Sequence, residues 1–325
     1  MDPRLVEVER HTILPDTHWR YRIPLPENST LRRSVQQHGI LSPLLLLEKD
    51  KKQYFIIDGF QRFEWIQGTR FTRIPARIYP AGQAELAFWK GLQINTSIRP
   101  LSVVEKAHVV QHIQGFRDEA IIQAILKDLA IPPKGTFLQI YREIAALPIP
   151  MQQYFHQYQF SFRQIERLRA LKIETLEPWI RLAIQLRLKA QEFLNIMEMV
   201  WDIAVRENLS VAQCYQALSI DELLSREWTP QQKTTFLKNL LHQRRYPLLT
   251  RMRNRIDEAA KEIQENAPLP VKIFWDPNLE TPGYHLQFYL EKEDDLHRLG
   301  ELIEEPEFKN RLVQLFSVIR SMEED

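Results

Sequence analysis

The sequence predicts an α+β N-terminal domain, then an all-α region with a helix-turn-helix, then a small C-terminal β-β-α-α domain. Three observations carry this. Short apolar runs alternate with helical periods over the first 100 residues. Helical periodicity is almost unbroken from Leu101 to about Arg226. Two alternating runs return after residue 270, ahead of two amphipathic helices. The expected parts are residues 1–100, 101–230 with the helix-turn-helix near 119–146, a basic helical connector at 231–265, and a small α+β domain at 266–325.

The elements follow in order. Leu31 to His38 has a short helical pattern stopped by Gly39, a natural helix C-terminal residue. Pro43 to Glu48 and Gln53 to Ile57 read as strands joined by an Asp50-Lys51-Lys52 turn. Gly59 ends the second strand, Phe60 to Gln67 is helical, Ile74 to Tyr79 is a strand, and 83–94 is helical again. Ser102 and Glu105 form a capping box that starts the next helix. Further helices are expected at 119–130, 135–146, 150–158, 161–171, 178–206 and 210–218. Helices over 231–264, interrupted at Pro247, come next. Strands Val271 to Trp275 and Tyr284 to Leu290 then flank a Pro277 to Gly283 loop, before helices at 292–304 and 307–321.

Composition bounds the class. With 44% hydrophobic and 26% charged residues, the 325-residue chain has the makings of packed cores. The longest aliphatic run, Leu44 to Leu47, is far short of the roughly 20 residues that span a bilayer. Met1-Asp2-Pro3-Arg4 leads straight into charged sequence, so no secretory signal and a cytoplasmic location are expected. The lone cysteine, Cys214, excludes an internal disulfide and a multi-cysteine zinc site. The net charge of +1 hides a local pattern. Residues 233–261 hold eight Lys/Arg, including Arg244, Arg245, Arg251, Arg253 and Arg255, against Asp257 and Glu258, and the tail beyond 290 is acidic. Such a basic stripe could hold phosphate, or form a helix face that pairs with the acidic tail.

Asp58-Gly59-Phe60-Gln61-Arg62 follows a strand and opens a helix. Backbone N–H groups at such a turn favour an anion, glycine allows close approach, and Arg62 could fork onto a phosphate. The competing reading is a tight turn with Arg62 paired to an acidic neighbour. Three further stretches stand in order around this one: Gly39-Ile40-Leu41-Ser42-Pro43-Leu44, Asn95 to Arg99 followed by Pro100-Leu101-Ser102-x-x-Glu105, and a helix pair at 119–146. Together the four resemble the ParB family over about residues 5–172.

That resemblance implies a ParB-like N-terminal domain that binds CTP with magnesium. Gly39, Pro43, Asp58, Gly59, Phe60, Gln61, Arg62, Asn95 and Arg99 would form the nucleotide site, with Asn95 towards the metal. The sequence departs from the family pattern at three places. Phe60 and Gln61 stand inside the Gly-Glu-Arg-Arg box, so one arginine is missing. Ile94 replaces the glutamate of the metal-binding Glu-Asn pair, and Arg99 falls one position late.

The helix-turn-helix runs Glu119 to Ala130, an Ile131-Pro132-Pro133 turn, then Lys134 to Ala146. Phe137, Ile140, Ile144 and Leu147 make the inward stripe, which leaves Lys134, Thr136, Gln139, Arg142 and Glu143 outward. An ordinary packed helix pair has the same periodicity. By the resemblance, Lys134, Thr136, Gln139 and Arg142 would contact DNA, with Arg163 and Arg167 on the later 161–171 helix, beside Arg169, supporting them.

The partners implied are DNA and a second copy of the chain. The apolar stripe Leu296, Leu299, Leu302, Ile303, Phe308, Leu312, Leu315, Phe316 and Ile319 would suit either a symmetric interface or packing on the hairpin. The short mixed-charge Met1 to Arg10 segment lacks the basic arm that ParB proteins use for a partition ATPase, which argues against that partner. The function expected is a nucleoid-associated, ParB-like DNA-binding protein of chromosome partition or transcriptional regulation. The alternative is a nucleotide-dependent phosphotransferase or nuclease built on the same N-terminal domain, with Asp58 holding a metal-nucleotide. His108 and His112 are four apart but lack the glutamate of a His-Glu-x-x-His site. The cysteine chemistry of sulfiredoxins is excluded, because Phe60 and Gln61 occupy the box.

Overall fold

The computed structural model describes residues 4–24, 30–50, 52–277, 279–281 and 283–320. Met1 to Pro3, Lys51, loop positions 278 and 282, and the side chain of Ile319 lie outside the described residues. By internal contacts the chain divides into two compact units, 1–195 and 196–325.

The first unit is built on a five-stranded mixed sheet. Its strands are β1 (Arg4–Glu9), β2 (Ile13–Leu14), β3 (Leu44–Asp50), β4 (Gln53–Asp58) and β5 (Arg73–Tyr79), in the spatial order β1-β5-β3-β4-β2. The expected β3–β4 hairpin is antiparallel, with Leu46 opposite Ile56. β5 runs parallel to β3 and antiparallel to β1, whereas β2 lies parallel to β4. β1 and β2 were not expected. The signal for β1 was the Val6-Glu7-Val8-Glu9 alternation, which sets Val8 inward and leaves Leu5 exposed.

Helices cover the sheet. α1 (Thr30–His38) and α2 (Phe60–Ile66) pack together, and Val35, Leu44, Leu46, Ile56, Phe63, Ile66 and Ile74 meet in one core. Each such aliphatic side chain contributes about 1.5–3 kcal/mol by leaving water. α3 (Ala84–Ile98) packs on β3 and β4, and a Cβ on its Gly91 would lie 3.2 Å from the Leu45 side chain. β3 therefore buries both faces, as its four consecutive leucines require. For the same reason Tyr79, which points away from the Ile74 and Ala76 face of β5, is also buried.

The helical half of this unit contains α4 (Val103–Ile113), α5 (Glu119–Asp128), α6 (Gly135–Ala145), α7 (Ile149–Gln157), α8 (Phe162–Arg169) and α9 (Glu177–Leu186). The capping box at Ser102 and Glu105 is present as expected. The helix expected at 178–206 is two helices, because Arg187 adopts φ 56° and ends α9 before α10 (Ala190–Glu207). Sheet and helices are continuous within the unit. Trp89 of α3 donates to Asp128 of α5 at 2.9 Å, and Glu85 accepts from the backbone N–H groups of Arg117 and Asp118.

The second unit contains α11 (Val211–Ala217), α12 (Ile220–Ser225), α13 (Pro230–Arg245), α14 (Pro247–Asn266), β6 (Val271–Trp275), β7 (Tyr284–Phe288), α15 (Asp294–Glu304) and α16 (Pro306–Arg320). The β-β-α-α order is the expected one. α14, from the stretch expected to connect, contributes Ile256, Ala260 and Ile263 to the same core as Val271, Ile273, Leu302, Phe308 and Leu315. The basic stripe is largely engaged inside this unit. Arg244 pairs with Glu207 at 2.8 Å, Arg245 pairs with Asp202, and Arg253 donates to the Pro277 carbonyl.

The turn between α5 and α6 is a Schellman closure. The Ile131 N–H bonds the Leu126 carbonyl at 2.9 Å, the Ala130 N–H bonds Lys127, and Ile131 and Leu126 are both buried. Ala130 sits at φ 52°, a left-handed position that glycine fills without strain. We expect Ala130→Gly to stabilise the protein by about 0.5–1 kcal/mol, read as an upward shift of the urea midpoint.

Candidate functional site

Two places in the first unit bring functional side chains together. The first is a cleft of about 130 Å³ lined by Arg20, Arg22, Ile23, Leu31, Asp58, Gly59, Phe60, Gln61, Arg62, Asn95 and Arg99. Seven of these are residues expected to bind a nucleotide: Asp58, Gly59, Phe60, Gln61, Arg62, Asn95 and Arg99.

Local sequence explains each wall. β4 ends at Asp58 and Gly59 turns the chain at φ 102°. An added Cβ at Gly59 would stand 2.3 Å from the Leu44 side chain, so only glycine fits. Arg62, one turn into α2, donates to Asp58 Oδ2 at 3.0 Å, to the Ser42 carbonyl, and to the Pro43 carbonyl at 3.3 Å. Pro43 thus bears on the site through Arg62. Gly39 lies outside the lining, closing α1 against the Phe71 ring at φ 76°.

Asn95 is buried near the end of α3. Its Nδ2 donates to Asp58 Oδ1 and to the Tyr21 hydroxyl, each at 2.8 Å. Burial, with Asp58 nearby, pushes the Tyr21 phenol well above its ordinary range.

Arg20 and Arg22 come from the extended segment before α1, which alternates. Trp19 and Tyr21 turn inward onto Phe88, with ring centroids at 5.8 and 5.4 Å, while Arg20 and Arg22 face the cleft. His112 Nε2 holds this segment by donating to the Arg20 carbonyl at 3.2 Å. Arg22 Nη2 donates to the Asn95 carbonyl at 2.7 Å, and its buried Nε has no acceptor among the described residues. A buried donor left in that state costs about 1–3 kcal/mol. Arg20 pairs with Glu64 and lies over the Phe60 ring at 5.1 Å. These two arginines were missed in the sequence. The cue was the Trp-Arg-Tyr-Arg alternation.

Arg99 closes the cleft and is held from below. Its two terminal nitrogens donate to Glu105 at 2.8 and 2.6 Å. Glu105 is 0% exposed and also accepts from the backbone N–H groups of Ser102 at 2.9 Å and Ile23 at 3.3 Å. Burial alone would raise its carboxyl pKa, but the bonds from Arg99 and Ser102 outweigh that and hold it below the ordinary glutamate value. His156 Nδ1 lies 2.9 Å from Ser102 Oγ and ties α7 to the same junction.

A larger hollow of about 370 Å³ is lined by Ile13, Phe60, Phe63 and Arg10 among others. Arg10 there donates to the carbonyls of Ile66, Thr69 and Phe71, each at 3.2 Å, so the cationic cleft is the better anion site.

The second place is the exposed face of α6. Ile140, Tyr141, Ile144 and Leu147 are buried, and Phe137 stacks on Phe162 of α8 at 5.4 Å. Lys134, Thr136, Gln139 and Arg142 are exposed, as are Arg163 and Arg167 of α8. Lys134 is the N-cap residue and stands just outside the helix. Glu143 is taken by Arg169, which links α6 to α8.

Residues 21–90 match the sequence model of the ParB N-terminal domain. Over that stretch the chain is similar to the ParB family. It is 28% identical to a nucleoid occlusion protein of Listeria innocua over 148 residues, 44% of this chain and 49% of that one. It is 26% identical to a nucleoid occlusion protein of Bacillus velezensis over 173 residues, 52% and 59% of the two chains. The matches thus span about half the length of these curated relatives. Among solved structures, it is similar to the C-terminally truncated chromosome-partitioning protein ParB from Caulobacter crescentus complexed with CTP-gamma-S. That match has 18% identity, covers 55% of this chain and 98% of the other, and has a TM-score of 0.26, too low to carry an argument.

The magnesium that accompanies the nucleotide in ParB proteins does not suit the donors of this ParB-like cleft. Asp58 engages one oxygen with Asn95 and the other with Arg62, and Glu105 is committed to Arg99, Ser102 and Ile23. Ile94, beside Asn95, is 46% exposed and offers no oxygen. His108 and His112 have separate partners, Gln152 and the Arg20 carbonyl, and no cluster of three metal-ligating side chains occurs among the described residues.

Two outcomes are expected. Gly59→Ala should destabilise the domain by about 2 kcal/mol or more, because it adds a clash to left-handed strain, read by thermal melting. Glu105 follows the rule for a lowered carboxyl. Its contribution is complete above the ordinary value of 4.5 and is lost as pH falls through the lower folded value. Glu105→Gln should therefore cost about 2 kcal/mol or more at neutral pH and flatten the acid limb of a stability–pH profile, measured by urea denaturation.

Proposed function

We propose that this chain is a nucleoid-associated DNA-binding protein of the ParB class, acting in chromosome partition or nucleoid occlusion. Its N-terminal cleft takes a cytidine-type nucleotide as a switch. The carrying observation is the face of α6. A helix fixed by Ile140, Tyr141 and Ile144 presents Thr136, Gln139 and Arg142 in one exposed row, with Lys134 at its start. Amide and guanidinium groups at that spacing can read base edges, and lysine can neutralise a phosphate. Arg163 and Arg167 of α8 flank the row with further positive charge. The names of the relatives, nucleoid occlusion proteins, support the chromosomal setting.

The same reading has the protein act as a homodimer on two half-sites. The C-terminal stripe supports this. Leu302, Phe308 and Leu315 fill the core of the second unit, while Leu296, Ile303, Val313 and Phe316 of α15 and α16 are 47–64% exposed. Apolar surface of that kind suits a self-complementary contact. No described helix is long and apolar enough to cross a membrane. The phosphotransferase or nuclease alternative gains nothing from the cleft, where Asp58 is paired with Arg62 and Asn95.

The test is DNA binding by fluorescence anisotropy, on duplexes selected by the protein from a random pool and on an unselected duplex. Affinity should fall steeply with salt. Arg142→Ala should weaken the selected site by about 1–3 kcal/mol and relax its sequence preference. Lys134→Ala should weaken all sequences alike and lower the salt slope by about one. A protein that enriches no sequence and binds DNA no better at low salt would contradict the reading.

A further inference from the structure

The cleft is built of cations whose carboxylate neighbours are already committed, and its four guanidiniums fall into two classes. Arg62 and Arg99 are wall. Arg62 has three acceptors inside the fold, and Arg99 is gripped at both terminal nitrogens by a carboxylate with no solvent exposure. Turning either towards a ligand would strand Asp58 or Glu105.

Arg20 and Arg22 are different. Arg22 has no carboxylate partner among the described residues. It donates to the Asn95 carbonyl, and its buried Nε meets no acceptor among the described residues. Arg20 pairs with Glu64, whose side chain is 47% exposed, and exposed pairs exchange partners at little cost. Both sit on the same alternating segment, two residues apart, and both line the cleft. Two neighbouring guanidiniums match the fork geometry and the charge of a phosphate group.

A divalent cation has no such place. To reach Asp58 it would have to compete with the Asn95 amide at one oxygen or the Arg62 guanidinium at the other, and to reach Glu105 it would have to displace Arg99. The space of about 130 Å³ is also below the usual range for a whole small-molecule site, so it suits the phosphate end of a ligand.

We infer that the cleft binds the phosphate groups of its nucleotide without a divalent cation, through Arg20 and Arg22. The ligand class this favours is a nucleoside mono- or diphosphate, most of whose negative charge two guanidiniums can offset. The inference rests on the nucleotide reading above and adds the metal independence and the two residues.

Isothermal titration calorimetry of the full chain with CDP and with CTP, each in EDTA and in magnesium buffer, tests it. The expected result is a CDP Kd that agrees within about twofold between the two buffers. Arg22→Ala should raise that Kd at least about tenfold in both, and Arg20→Ala several-fold, with the fold of each variant checked by near-ultraviolet circular dichroism. If Arg22→Ala fails to fold, Arg22→Gln serves in its place. Binding that appears only with magnesium overturns the inference and leaves the nucleotide reading standing. Metal-free binding that survives in both arginine variants overturns the assignment of residues. A folded protein that binds neither nucleotide in either buffer brings down the nucleotide reading and this inference together.

Discussion

A buried carboxylate must be satisfied from every side, and Glu105 imposes that demand on the first unit. It caps its own helix through Ser102, fixes the Arg99 guanidinium, and accepts from the Ile23 backbone. The segment before α1 is thereby held to the junction of α3 and α4, 82 residues further along the chain. Removing such a charge from water is expensive, and only the combined set of bonds makes it tolerable. The walls of the cleft inherit their positions from this junction. Arg22 reaches the cleft because Ile23 is tied to Glu105 and because Tyr21 is pinned between Asn95 and Phe88.

The same junction lies at the root of the helical half. α4 starts on the Ser102 cap, and α6 packs against α4. The face of α6 proposed to read DNA is therefore supported by a helix whose first turn also anchors a wall of the cleft. Ser102 extends the network further, since its hydroxyl meets His156 of α7. The charges of the sequence's other notable cluster, at 244–253, resolve differently. Arg244 and Arg245 face Glu207 and Asp202 of α10, so much of that stripe serves the packing of the second unit. A basic run in sequence says nothing about which carboxylates the fold brings to it.

Much of the architecture was legible because its signals are local. The Gly39 stop, the β3–β4 hairpin, the Ser102–Glu105 capping box and the β-β-α-α order each depend on a few adjacent residues. The elements that escaped depend on tertiary context. β2 is two residues long and exists by pairing with β4, and the division between α9 and α10 rests on the left-handed conformation of Arg187. For the site, Asp58, Gly59 and Arg62 were found through one contiguous motif, and Asn95 and Arg99 through another. The meeting of the two spans 37 residues of sequence, and the contacts of Arg20 with Glu64 and of Arg22 with Asn95 span 44 and 73. No spacing rule reaches that far. The Arg62 ambiguity also resolves only in three dimensions, where the arginine pairs with Asp58 and braces the 42–43 backbone.

The central claim is that Arg99 and Glu105 act as one unit holding the cleft to the helical half. A double-mutant cycle with Arg99→Ala and Glu105→Gln, read by urea denaturation, tests it most directly. The account predicts a coupling free energy above about 1 kcal/mol, because each partner satisfies a group the other would leave stranded. Additive losses, with coupling within about 0.3 kcal/mol of zero, would mean that the two residues are independent and that the cleft is held by other contacts.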